Sequence, residues 1–123
     1  MATSIKFTTP IIVKSEVLTS DNSGTAYTIN LNSGNVFKIT LTGNCTFTFS
    51  NPAVTGRASS FTLILIQDGT GSRLATWPAS VDWAGATAPT LTTTLTTGTD
   101  ILTFFTTDGG TTWWGFKAGA DMR

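Results

Sequence analysis

A chain that works by acid–base or metal chemistry usually shows it in histidines, cysteines and clustered carboxylates, and this one has no histidine and a single cysteine, Cys45. The missing imidazole removes the usual general base near neutral pH and the commonest ligand of zinc, copper and iron. Cys45 has no histidine to draw off its proton and lies in an alternating apolar run, so it reads as a small buried thiol. No disulfide can form within the chain. A glycosidase would need two carboxylates roughly 5 to 9.5 Å apart, one with a raised pKa. Asp21, Asp68, Asp108 and Asp121 sit instead in turn segments, where aspartate is favoured for its local hydrogen bonds. Asp68-Gly69-Thr70-Gly71 and Asp108-Gly109-Gly110-Thr111 each set a carboxylate beside glycines, as a calcium loop does. A hard cation takes about six to eight oxygens, and each turn offers one carboxylate, so both read as ordinary hairpin turns. These residues imply no metal, no cofactor and no enzymatic activity.

The four tryptophans carry a different chemistry, because exposed aromatic rings stack on sugars or anchor protein interfaces. Trp77 and Trp83 flank Pro78 and Asp82 around a turn and read as caps on one end of a barrel or sandwich. Trp113 and Trp114 are adjacent. Successive side chains of a strand point to opposite faces, so both belong to a core only if their strand is covered on both sides. Otherwise one of them faces water or a partner, and both are candidate exposed contacts.

The elements that would position these residues are strands. In 123 residues there is room for one domain, and 40% apolar residues can fill its core. Only 11% of residues are charged, seven basic against seven acidic, which lacks the surplus that nucleic-acid or membrane-surface binding requires. Neither an apolar leader nor an ~18-residue apolar span is present, so membrane insertion is not expected and the chain reads as a complete product of the cytoplasm. Apolar residues recur with period two. Val36, Lys38 and Thr40 alternate with Phe37, Ile39 and Leu41; Cys45, Phe47 and Phe49 follow after Gly43-Asn44, a hairpin signal. Ala26–Leu31 alternates likewise, and the continuously apolar Ser60–Gln67 reads as a central strand buried on both sides. Further runs lie at Arg73–Trp77, Val81–Trp83, Thr90–Leu95, Asp100–Thr107 and Thr111–Lys117. About eight to ten short strands at this spacing predict an all-β, antiparallel β-sandwich or jelly-roll-like barrel, with an N-terminal arm or added strand.

That arm or edge strand is assigned to residues 1–24 and the domain to 25–123. Ile11, Ile12, Val13, Val17 and Leu18 are apolar but set apart by Pro10 and the polar cluster at 19–24, so they are candidate contacts to a sister subunit or another protein. Scarce charge on segments such as Thr92–Thr99 leaves edges open and points to a homo-oligomer.

From about Thr25 to Met122 the chain resembles a small β-module of tailed-bacteriophage structural proteins. The segments that carry the resemblance are GNVFKITLTGNCTFTFSNP at 34–52, GRASSFTLILIQDGTGSRLATWPASVDWAGATAPTLT at 56–92 and DILTFFTTDGGTTWWGFKAGADM at 100–122. The combination of a Trp-Pro turn, Ala-Pro-Thr-Leu and Asp-Gly-Gly-Thr-Thr-Trp is the specific part. The resemblance implies a virion component without enzymatic activity, trimeric in the usual case, serving on capsids or on tails. With only some 24 residues before the module, the expectation is a capsid decoration (cement) protein: a homotrimer on the major capsid protein, its N-terminal apolar residues in the contact. The alternative is a tail-fibre or receptor-binding tip that meets tail proteins and host-surface glycan.

Overall fold

A computed structural model describes residues 15–123. Nine strands follow in order: β1 (Leu18–Asn22), β2 (Ala26–Asn30), β3 (Val36–Leu41), β4 (Cys45–Ser50), β5 (Ser59–Gln67), β6 (Ala75–Thr76), β7 (Val81–Trp83), β8 (Thr99–Thr106) and β9 (Trp113–Gly119), with one 3-10 turn at Ala84–Ala86. They form a six-stranded sheet, β1-β3-β5-β8-β9-β7, and a three-stranded sheet, β2-β4-β6. The fold is all-β, and the inner faces of both sheets share one core.

Pairing departs from the antiparallel expectation. From β1 to β6 the chain crosses to the opposite sheet after every strand, so β1, β3 and β5 stack in parallel, as do β2, β4 and β6. The turn at Gly43-Asn44 is therefore an arch between layers and not a hairpin. The physical reason lies in the two alternating runs themselves. Phe37, Ile39 and Leu41 on β3 and Cys45 and Phe47 on β4 are each almost wholly buried, because the two strands meet face to face across the core. Gly43 permits the close stacking of successive arches: a Cβ there would lie 3.2 Å from the Gly24 carbonyl oxygen. The antiparallel part is β5-β8-β9, with β8 and β9 joined through Asp108-Gly109-Gly110, both glycines at positive φ. Parallel β7 closes that edge against β9.

Ser59–Gln67 lies between β3 and β8, as a central strand should, but only its inward residues Phe61, Leu63, Leu65 and Gln67 are buried; Thr62, Ile64 and Ile66 are half-buried on the outer side. Thr90–Leu95 is not a strand. It is a loop held by buried side chains: Gln67 Nε2 donates to the carbonyls of Arg73 (3.0 Å) and Thr92 (2.9 Å), and Asp100 accepts from the Thr92 N–H and hydroxyl. Arg73–Trp77 contributes only the two-residue β6. Trp77 stacks on Phe47 at 5.2 Å, Trp83 meets Trp77 edge-on at 5.5 Å, and both rings pack on the buried Phe104, so this pair links the two sheets across the core.

Candidate functional site

Strand geometry puts alternate residues of the six-stranded sheet on its outer face, and the registers align them in rows. One row runs Asp82, Trp114, Phe105, Ser60 across β7, β9, β8 and β5. The next runs Phe116, Thr103, Thr62, Val36, Leu18. A third runs Ile101, Ile64, Lys38, Ser20, and a fourth Thr99, Ile66, Thr40, Asn22. The outer face of the small sheet is different: Thr28 pairs with Thr48 and Thr46 with Thr76, a hydroxyl surface suited to water. An outer sheet face is ordinarily polar, and a contiguous apolar one marks a contact surface.

Three rings stand out on it. Phe105, Trp114 and Phe116 are 36%, 41% and 47% exposed. Phe105 packs against Trp114 at 5.0 Å, tilted by 49°, and against Phe116 at 6.4 Å, edge-on. Among the paired positions of this face only Lys38 and Asp82 are charged, near its opposite ends. Thr103 lies between the rings and the isoleucines, and its hydroxyl oxygen is buried with no hydrogen-bond partner.

Of the adjacent tryptophans, Trp113 is not an exposed contact. It is 2% exposed, edge-on to Phe49 and Phe61, because β9 turns odd-numbered residues inward as far as Gly115. Trp114 is the outward member. Val17 and Leu18 are exposed, and the Val17 carbonyl accepts the Val36 N–H at 3.3 Å as the chain enters edge strand β1. Ile11, Ile12 and Val13 lie outside the described residues. Phe105, Phe116 and the outward isoleucines were missed by the sequence reading, although Phe116 shares Trp114's parity and the unbroken apolar run of β5 signalled two covered faces.

The two aspartate–glycine turns are closed by donors. Asp68 accepts the N–H groups of Thr70 and Gly71 and a guanidinium N–H of Arg73 at 2.9 Å; that guanidinium is the main reason its carboxyl sits below the usual range. Asp108 accepts the Thr112 N–H and the Thr106 hydroxyl, both at 2.9 Å, and is lowered chiefly by the former. Cys45 is 1% exposed, and burial pushes its thiol up, away from a reactive thiolate. Among the described residues no three histidine, cysteine, aspartate or glutamate side chains gather into a metal-binding group.

A family model described as "Putative phage tail fibre C-terminal domain" matches residues 18–112. No curated protein and no solved structure matches the chain. The match spans β1 to β8 and the turn into β9, and so takes in the whole small sheet and every strand of the large one except β9.

Proposed function

The chain belongs to the phage tail fibre C-terminal domain family, and from that premise we propose that it is a non-enzymatic contact domain of the tail, working through the outer face of its six-stranded sheet. The family is one of tail-fibre structural domains, which favours the tail over the capsid surface as its place in the virion. The observation that carries the reading is the contrast between the two outer faces. Threonine hydroxyls cover the small sheet, while the large one carries a cluster of exposed rings, Phe105, Trp114 and Phe116, beside half-buried isoleucines. Burying such rings against another protein gains roughly 25 cal/mol per Å² of apolar surface, and aromatic anchors of this kind dominate interface energies.

A second reading, contact with host-surface glycan, is favoured by the exposed ring of Trp114 beside the Asp82 carboxylate, since sugars stack on aromatic faces and donate hydroxyl hydrogens to acids. One variant tests both. Phage carrying Trp114→Asp should assemble heads normally and lose the chain from purified tails if the face is a protein contact. If the face meets glycan, tails should retain the chain while adsorption to host cells falls. Tails that keep the chain and adsorb normally overturn both.

A further inference from the structure

The exposed rings have one charged neighbour, and it is an acid. Asp82 on β7 is the register partner of Trp114 on β9, and adjacent strands lie only about 4.8 Å apart, so carboxylate and indole stand side by side on the outer face. Asp82 is exposed, and among the described residues it takes part in no ion pair; Arg73 is turned to Asp68, Lys117 to Asp100 and Arg123 to Asp121. Lys38, on β3, is separated from it by β5, β8 and β9. β7 is also the last strand of its sheet, and beside it opens a recess of about 460 Å³ lined by Val81, Asp82, Trp83 and Ala86. We infer that this corner receives a basic side chain, arginine or lysine, of a neighbouring tail protein. Its charged head meets the Asp82 carboxylate and the Trp114 ring, and its apolar stem lies in the recess against Val81, Trp83 and Ala86. This rests on the proposal that the face is a protein contact and adds the chemistry of the partner.

Charge complementarity selects that occupant. A partner that covers Trp114 takes the adjoining Asp82 carboxylate out of water as well, and a buried carboxylate without a counter-charge is strongly unfavourable. The covering surface must therefore bring a cation to Asp82. A cation is also drawn to an aromatic face, most strongly to tryptophan, and a carboxylate beside it adds a charge-assisted hydrogen bond. Lysine and arginine bring in addition the apolar stem that the recess walls can cover. An acidic group would oppose Asp82. A sugar would stack on the ring, but each of its hydroxyls needs a partner, and the paired positions of that row offer Asp82 and, beyond Phe105, the Ser60 hydroxyl.

The test titrates the purified full chain with N-acetyl-arginine methylamide and, as the uncharged counterpart, N-acetyl-norleucine methylamide. The readout is the nuclear magnetic resonance signal of the Trp114 indole N–H, identified by its loss in Trp114→Phe. The arginine amide should shift that signal saturably and the norleucine amide should not. Asp82→Asn, a substitution at an exposed position, should weaken the arginine response about threefold or more, and Asp82→Lys should abolish it. No saturable shift, equal responses to the two amides, or a response that Asp82→Asn leaves unchanged would overturn the inference. In phage, Asp82→Lys should remove the chain from purified tails while heads assemble normally. Tails that lose the Trp114→Asp chain but keep the Asp82→Lys chain overturn the basic partner and leave the protein-contact reading intact. Tails that keep both variants while adsorption to host cells falls overturn both claims in favour of glycan.

Discussion

Trp113 and Trp114 show how much one residue of parity decides. Trp113 fills the core against Phe49 and Phe61, so Trp113→Ala should cost about 3–5 kcal/mol through lost burial and a cavity. Trp114→Ala, on the outer face, should cost within about 1 kcal/mol in the isolated subunit. Urea unfolding with an unchanged m-value measures the difference; equal losses would mean that both rings are core. The pair rule was legible in the sequence, but which member faced inward depended on how β9 meets β8, and no local signal carries that. Asp100 makes a second residue-scale prediction. Burial alone would raise its carboxyl, but the Thr92 N–H and hydroxyl, the Asp121 N–H and the Lys117 ammonium at 3.2 Å outweigh it and hold the group below the usual carboxylate range. A carboxyl depressed in the folded state adds stability that is fully present above its unfolded pKa of about 3.9 and disappears as the pH falls through the folded value. The stability gap between wild type and Asp100→Asn should therefore stay constant above about pH 5 and narrow below about pH 4. A gap unchanged at acid pH would contradict the Asp100 network.

At the scale of elements, alternation identified the strands well where a run buries one face, as in β3 and β4. It did not reveal their partners. A hairpin and an arch both read as two alternating runs around a short polar turn; only the packing of Phe37, Ile39 and Leu41 against the other layer separates them. Thr90–Leu95 has strand-forming composition, yet its backbone is claimed by Gln67 and Asp100, side chains from β5 and β8 whose approach is non-local. Gly115 is a case where an element requires a missing side chain. A Cβ there would lie 2.9 Å from atoms of Phe104, Trp83 and Val81, from β8 and β7, so Gly115→Ala should cost about 1–3 kcal/mol, read as a fall in Tm. An unchanged Tm would show that the β7–β9 edge is looser than this packing.

For the whole molecule, composition excluded more than it identified. Low charge and absent histidine turned the reading away from nucleic acid and from familiar catalysis, and the resemblance pointed to phage structural proteins, while the choice between head and tail was beyond composition. Only the placement of strands exposed the relevant contrast, a hydroxyl face on one sheet and a cluster of exposed rings on the outer face of the other. The central claim is that this domain belongs to the tail and that its apolar face is covered there. Cryo-electron microscopy of intact virions tests it most directly. The account predicts density for the chain on the tail, with Phe105, Trp114 and Phe116 buried against protein; copies arrayed on the head lattice, or tail copies with those three rings open to solvent, would contradict it.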